Sequence, residues 1–325
     1  MVLYAAPEAL SRFGGAEQQL TALDGVRLRA ARWTPERPRG TIALFGGRTE
    51  FIEKYYETIG DLLRRDFAVA TMDWRGQGGS ERQLRDPRKG HIDDFSLYER
   101  DFLAFTRDVL TPHCPKPWIG LGHSMGAAIL LRIAHAERCP FDRLVLTAPM
   151  IALYGHADPR FARWLAEALD GVGLGGAYAP GGGRRPYGFR DFDGNVLTSD
   201  PVRYARIGEM LRAYPALALG GPTIGWAHAG FRLMREFAET DYPRAIPTPT
   251  LVIASGADRV VDTRSVERFA SRLRAGALIV IDGARHEIMV ERDAYRELFF
   301  KAFDAFAFGA AAEPVAFTSP FPAAT

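Results

Sequence analysis

Residues 118–136 read WIGLGHSMGAAILLRIAHA, and this stretch decides the fold. The apolar run 118–122 predicts a buried strand, and the run 127–136 predicts a helix that follows it directly. Between them GHSMG at 122–126 fits the pattern G-x-S-x-G, whose tight turn holds a serine with its hydroxyl exposed above a sheet. The stretch therefore predicts that Ser124 is a nucleophile. The alternative is a serine that only caps the helix at an ordinary turn.

Further apolar runs of strand length lie on both sides of this stretch, at 41–45, 69–74, 144–147, 250–254 and 277–281. Stretches with helical spacing of apolar residues separate them, at 52–63, 97–110, 266–273 and 295–306. Strands that are apolar throughout are typical of a sheet buried on both faces. We therefore predict an α/β protein with a mostly parallel central sheet and helices on both of its faces.

The alternation of strands and helices stops in the middle of the chain. An amphipathic helical face at 161–169 is followed by glycine-rich runs at 171–176 and 181–185 and by a second helical stretch near 204–211. The glycine pattern at 171–176 does not indicate a phosphate loop, because no predicted strand precedes it. The predicted domains are a core at 1–150 and 246–308, an inserted helical lid at 151–245, and a flexible tail at 309–325.

The composition is that of an ordinary globular protein, with 47% hydrophobic and 25% charged residues in a chain of 325. Lys+Arg is 41 and Asp+Glu is 39, and this near balance argues against a nucleic-acid-binding protein. Cys114 and Cys139 cannot form a disulfide framework, which favours reduced thiols in a cytoplasm. The first residues lack the pattern of a signal peptide.

No apolar run approaches the roughly 20 residues that a spanning helix needs. Membrane contact is therefore expected to be peripheral at most, at the inner face of the membrane, and the sequence indicates no oligomeric state.

A serine hydroxyl is a weak nucleophile and needs a base, which an acid in turn orients. The expected chain order in this architecture is serine, then an acid, then histidine. Asp258 lies just after the predicted strand 250–254, and His286 lies just after the strand 277–281. The carboxyl ends of parallel strands are where catalytic groups gather, so we predict Asp258 as the acid and His286 as the base. Asp262, four residues further on, is the alternative acid.

The remaining histidines have no predicted catalytic role. The turn directs the side chain of His123 away from the site, and His91, His113, His135, His156 and His228 lie outside the strand-end loops of the second half. No cluster of His, Asp or Glu has metal-ligand spacing, so the sequence predicts neither a metal nor another cofactor.

Acyl transfer also needs backbone donors for the developing oxyanion. One donor is expected to be the N–H of Met125, the residue after the nucleophile. The other is expected from the loop GGRTE at 46–50, whose glycines let the backbone approach closely. Glu50 is a candidate for holding this loop by hydrogen bonds.

These residues and several further segments resemble α/β-hydrolases of the monoacylglycerol lipase and lysophospholipase L2 type. The matching segments are GGRTEFIEKYYE at 46–57, DWRGQGGSER at 73–82, GHIDDFSLYERD at 90–101, GGPTIGW at 220–226, SGADRVVD at 255–262 and GARHEIMVE at 283–291. The resemblance covers residues 10 to 308. It implies the α/β-hydrolase fold, a triad of Ser124, Asp258 and His286, oxyanion donors at the N–H groups of Arg48 and Met125, and a mobile lid at 151–245.

One position departs from the lipase branch of this group, because Gly46 stands where that branch has histidine. This departure favours the lysophospholipase branch. The side chain of Arg48 is then a candidate for contact with an anionic headgroup, the alternative being an arginine exposed to solvent.

The predicted function is that of a serine hydrolase which cleaves carboxylic esters of lipids, lysophospholipids first, through an acyl-enzyme. Alternatives are a monoacylglycerol lipase, a small-ester carboxylesterase, an acyltransferase and, remotely, a binding module without catalysis. Candidate walls of an acyl pocket are apolar residues of the lid, with packing inside the lid as the alternative: Trp164, Leu165, Trp226, Phe231 and Met234.

Overall fold

The computed structural model describes residues 3–155 and 160–308. Within them, eight strands form one sheet in the order β1-β2-β4-β3-β5-β6-β7-β8. The pairs β1–β2 and β2–β4 are antiparallel and all the other pairs are parallel, which confirms the predicted mostly parallel sheet. The strands are β1 Ala16–Thr21, β2 Arg27–Trp33, β3 Thr41–Phe45, β4 Ala68–Asp73, β5 Trp118–His123, β6 Arg143–Thr147, β7 Thr250–Ser255 and β8 Gly276–Ile281.

The helices cover both faces of this sheet. They are α1 Glu8–Ser11, α2 Tyr56–Leu63, α3 Ser96–Phe105, α4 Thr111–His113, α5 Met125–His135, α6 Arg160–Leu169, α7 Pro201–Ala213, α8 Ile224–Ala238, α9 Thr263–Ala270 and α10 Asp293–Phe308. Side chains of β3 alternate between the two cores: Ala43 and Phe45 face α3, α5, α8 and α9, whereas Ile42 and Leu44 face α2 and α10.

One edge of the sheet is exposed, contrary to the prediction from its sequence. Residues 278–280 of β8 are exposed, although their run was expected to be buried on both faces. The reason is the position of β8, which pairs with β7 only and ends the sheet. The opposite edge is the antiparallel β1–β2 hairpin, which the apolar pattern did not predict.

Helices α6, α7 and α8 are inserted between β6 and β7. These two strands pair directly with each other, so the insertion leaves the sheet continuous. Arg203 of α7 ties the insertion to α2, since its Nε donates to Glu57 Oε2 over 2.9 Å and both side chains are buried. The insertion therefore rests on the core through a buried ion pair as well as apolar contacts.

Some predictions fall outside the described residues, namely those on His156 and on the tail at 309–325. Among the residues that are described, no helix is long and apolar enough to cross a membrane.

Candidate active site

Ser124 occupies the turn between β5 and α5 at the centre of the sheet. Its backbone has φ 50° and ψ −113°, a conformation that costs energy for any residue with a side chain. The turn is possible because Gly126 has no side chain: a Cβ there would lie 2.5 Å from the carbonyl oxygen of Phe45. The helix start thus packs against the end of β3, with the serine held above it.

A chain of hydrogen bonds runs from Ser124 through His286 to Asp258. The Nε2 of His286 lies 3.0 Å from the Oγ of Ser124, and its Nδ1 lies 2.7 Å from the Oδ2 of Asp258. All three side chains are buried. The other oxygen of Asp258 accepts from the N–H groups of Val260 and Val261, which fixes the carboxylate toward the imidazole.

The charges of His286 and Asp258 stabilise each other. Burial alone lowers the pKa of His286 and raises that of Asp258, because it disfavours both charged forms. The attraction and hydrogen bond between the two outweigh burial, so the pKa of His286 is raised and that of Asp258 is lowered. The structure places Asp262 elsewhere: its Oδ2 accepts from Ser265 N over 2.9 Å and caps α9.

The loop after β3 lies against the serine. A Cβ on Gly47 would lie 3.1 Å from the Cβ of Ser124, so the bare backbone is what permits this approach. Within the part of the chain that the structure describes, the N–H groups of Arg48 and Met125 donate no hydrogen bond. Arg48 follows Gly47, which contacts Ser124, and Met125 follows the serine itself; two unused donors on these neighbouring segments are what an oxyanion requires.

Glu50 holds this loop by hydrogen bonds. One of its carboxylate oxygens accepts from the N–H of Gly47 and the hydroxyl of Tyr55, and the other accepts from Lys54 Nζ over 2.6 Å. Burial raises the pKa of Glu50, but the positive charge of Lys54 outweighs it, and the pKa falls to about 2.

Lys54 and Glu287 extend the network to the loop that carries His286, and the sequence analysis missed both. The Nζ of Lys54 lies 2.7 Å from the Oε1 of Glu287, and both side chains are about 95% buried. The ammonium of Lys54 faces two carboxylates, those of Glu50 and Glu287. Burial and the negative charge of the ionised Glu50 raise the pKa of Glu287. The signal in the sequence was the spacing of Glu50 and Lys54, which puts them one turn apart when the segment is helical.

The expectation that the side chain of His123 points away from the site is wrong: it lies beside the site, although it does not enter the hydrogen-bond chain. Its ring centroid is 4.9 Å from that of His286, and its Nδ1 lies 3.0 Å from the Oγ1 of Thr147. Burial lowers its pKa to about 3, so its ring stays neutral and packs against the imidazole of His286.

The five expected pocket walls occupy different environments. Trp164 was expected to line a pocket, but it is 61% exposed, because α6 packs mainly through Ala166 and turns Trp164 to solvent. Trp226 is buried, with its ring 5.7 Å from that of Phe95 and facing the guanidinium of Arg48. Phe231 is also buried, and Leu165 and Met234 are partly buried.

No group of three or more His, Cys, Asp or Glu among the described residues is arranged to hold a metal ion. Cys114 and Cys139 are free thiols, and burial raises the pKa of both.

The sequence is similar to known lipid hydrolases. A family model described as serine aminopeptidase, S33, matches residues 36–293. Lysophospholipase L2 of Escherichia coli strain K12 is 33% identical over 300 residues, which are 88% of this chain and 85% of that protein. Monoacylglycerol lipase of Mycolicibacterium smegmatis is 26% identical over 284 residues, 85% of this chain and 91% of that protein.

Solved structures of hydrolases share the fold. A thermostable carboxyl esterase from Bacillus coagulans superimposes with a TM-score of 0.73 at 19% identity, over 91% of this chain and 98% of that one. A soluble variant of monoglyceride lipase from Saccharomyces cerevisiae gives a TM-score of 0.68, also at 19% identity, over 89% and 94% of the two chains. At these identities the similarity shows the fold alone.

Proposed function

Since the chain belongs to the serine aminopeptidase S33 family of α/β-hydrolases, we propose that it is a serine hydrolase that cleaves carboxylic esters of lipids, with lysophospholipids as its main substrates. The observation that carries the proposal is the buried hydrogen-bond chain from Ser124 through His286 to Asp258, with the serine at positive φ.

The mechanism follows from the atoms at the site. Ser124 Oγ attacks the ester carbonyl while His286 Nε2 takes its proton, and Asp258 orients the ring and stabilises the imidazolium. The N–H groups of Arg48 and Met125 bind the oxyanion. His286 then returns the proton to the leaving alcohol, and water activated by the same histidine hydrolyses the acyl-enzyme. No step needs a cofactor.

The preference for lysophospholipids rests on two observations. The relative with the higher identity of the two compared above is a lysophospholipase. The loop after β3 also carries Gly46, where the lipase branch has histidine, and Arg48, two residues further on, carries a positive charge that lies against Gly220 and the ring of Trp226. A phosphate-bearing substrate complements this charge better than a neutral glyceride does.

We assign residues 151–245 as a lid over the site, flanked by core segments 1–150 and 246–308. Its first helix, α6, carries large apolar side chains toward solvent: Phe161 is 70% exposed, and Val172 and Leu174 just after the helix are exposed as well. The rings of Phe161 and Trp164 lie 6.0 Å apart and form an apolar patch on the lid. Such a patch suits peripheral contact with a membrane, where a lysolipid substrate is found.

Fatty-acid release from a lysophosphatidylcholine and from a monoacylglycerol with the same acyl chain tests this proposal. We expect the wild-type protein to favour the lysophospholipid and Ser124→Ala to release nothing above background. Preference for the monoacylglycerol would move the protein to the lipase branch. Cleavage of p-nitrophenyl butyrate alone would make it a small-ester esterase.

A further inference from the structure

Four cationic side chains lie together at the junction of the lid with the loops after β3 and β4. We call this set, Arg48, Arg82, Arg88 and Lys89, the cationic corner. The backbone of Gly220 links two of its members: Arg48 Nη2 donates to Gly220 O over 2.8 Å, and Gly220 N donates to Arg88 O over 2.8 Å. The corner therefore adjoins the loop that supplies a proposed oxyanion donor.

Elsewhere in the described residues, this chain neutralises its buried arginines with carboxylates. Arg29 pairs with Glu53 and Asp73, and Arg75 pairs with Asp24 and Asp101. Within the described ranges, no carboxylate lies within 4.0 Å of the side-chain nitrogens of the cationic corner. The nearby Asp86 pairs with Arg184 at 3.4 Å, and its Oδ1 accepts from the backbone N–H of Arg88 over 3.1 Å, so it does not reach the guanidinium of Arg88.

The hydrogen bonds that the corner does form go mainly to neutral backbone oxygens. Arg82 donates to the carbonyls of Ser80, Pro87 and Ala216, and Lys89 Nζ donates to that of Gly176 over 2.6 Å. Such bonds satisfy donors but bring no negative charge into contact with these cations. Burial and the like charge of Arg88 accordingly lower the pKa of Arg82, against the effect of Asp73.

Three polar atoms at the corner are buried and have no hydrogen-bond partner in the described structure: Arg48 Nε, Arg88 Nη1 and Tyr178 Oη. Tyr178 is held there because it bridges to Thr223, while Pro222 bridges to Gly90. The ring of Tyr178 also faces Lys89 Nζ at 5.4 Å. A buried donor without a partner costs free energy, so unused donors on and beside cations that touch no carboxylate point to an anionic ligand.

The covalent geometry of a lysophospholipid fits this spacing. About six bonds separate the ester carbonyl carbon from the phosphorus atom, and about six separate the backbone nitrogen of arginine from its Cζ. With the oxyanion on the N–H of Arg48, the phosphate can therefore lie near the guanidinium of the same residue. The lid segments around Tyr178 and Thr223 cover the corner, and the headgroup must enter when they move.

We propose that Arg48, Arg88 and Tyr178 form an anion site that binds the phosphate group of the substrate's headgroup. This inference rests on the proposed function, which it deepens by naming what selects a lysophospholipid over a neutral monoacylglycerol. Arg88 is the residue to test, because it has no part in the proposed triad or oxyanion donors.

The experiment compares the ratio of kcat/KM for lysophosphatidylcholine to that for a monoacylglycerol with the same acyl chain. We expect Arg88→Met to lower this ratio at least about tenfold, as loss of a charge-assisted contact does. Arg88→Lys should recover much of the ratio, and the exposed Arg272→Met should leave it unchanged. An unchanged ratio in Arg88→Met, or equal losses on both substrates, would overturn the inference while leaving the proposed function in place.

A binding measurement separates the site from catalysis and the headgroup from free phosphate. Ser124→Ala is titrated with glycerol 3-phosphate and with inorganic phosphate, with and without Arg88→Met. If glycerol 3-phosphate binds to Ser124→Ala and the additional Arg88→Met substitution abolishes this binding, the anion site is supported. This holds even if neither lipid is cleaved and the proposed function fails. Binding of inorganic phosphate alone, or of neither probe, would count against a headgroup site.

Discussion

The Nζ of Lys54 lies 2.7 Å from the Oε1 of Glu287, the residue that follows the proposed catalytic base. The same ammonium lies 2.6 Å from Glu50, which accepts from the N–H of Gly47 in the proposed oxyanion loop. A single buried cation therefore links the loop that carries His286 to the loop that contacts Ser124. Its loss is expected to affect both loops together.

Replacing Lys54 by methionine tests this link. The variant leaves two buried carboxylates without their cation, which typically costs about 3–5 kcal/mol of stability. Urea unfolding followed by circular dichroism measures the loss. The matched control is Lys301→Met on the exposed face of α10, expected to change stability by less than about 0.5 kcal/mol. Equal stability of the two variants would show that the network is not coupled to folding.

The assignment of the acid can be tested with two carboxylates of one loop. Asp258→Asn should lower kcat by roughly 10³–10⁴-fold, because the amide no longer holds the imidazole in the required tautomer. Asp262→Asn should keep nearly full activity, since Asp262 only caps α9 and asparagine caps almost as well. Steady-state kinetics on one ester substrate suffice. The reverse ranking would make Asp262 the acid.

The pH dependence of kcat/KM follows from His286. Only its neutral form accepts the proton of Ser124, and the charge of Asp258 raises its pKa above the ordinary value. Activity should therefore fall as the pH drops through this raised pKa. In Asp258→Asn the residual activity should fall at a lower pH than in the wild type, because the negative charge that raises the pKa of His286 is gone. His123, whose pKa is about 3, should cause no fall in kcat/KM above pH 5. If activity falls at the same pH in the variant as in the wild type, the fall belongs to a group other than His286.

Much of the fold was predictable because the buried strands are short, apolar and separated by helical spacing. Strands β3 to β8 begin and end within one residue of the predicted limits. The β1–β2 hairpin was missed because β2 carries three arginines, a pattern that does not indicate a covered strand. Arg29 is buried there only because Glu53 and Asp73 neutralise it. Such pairing depends on tertiary contacts that no local pattern contains.

The residues proposed for catalysis were identifiable from chain order and strand ends, and the structure brings Ser124, His286 and Asp258 together. The surroundings were harder to predict. Glu287 looked like an ordinary polar residue after His286, because its partner Lys54 lies far away in sequence. For Trp164, the amphipathic spacing gave the right helix, but it could not tell which face would be covered.

The exposed rings of Phe161 and Trp164 on α6 predict a measurable affinity for lipid surfaces. Replacing Phe161 and Trp164 together by serine should reduce binding to phospholipid vesicles several-fold, because two large side chains no longer enter the interface. Vesicle co-sedimentation measures the bound fraction. Leu298→Ser, which removes an exposed apolar side chain from α10, should leave binding unchanged. Equal binding of all variants would place any membrane contact elsewhere.

The central claim is that Ser124 forms an acyl-enzyme with the help of His286. Labelling with a fluorophosphonate, followed by peptide mass spectrometry, tests this most directly because the adduct stays on the attacking oxygen. We predict one adduct on the peptide that carries Ser124, absent in Ser124→Ala and strongly reduced in His286→Ala. An adduct on another serine, or no adduct in the folded wild-type protein, would contradict the account.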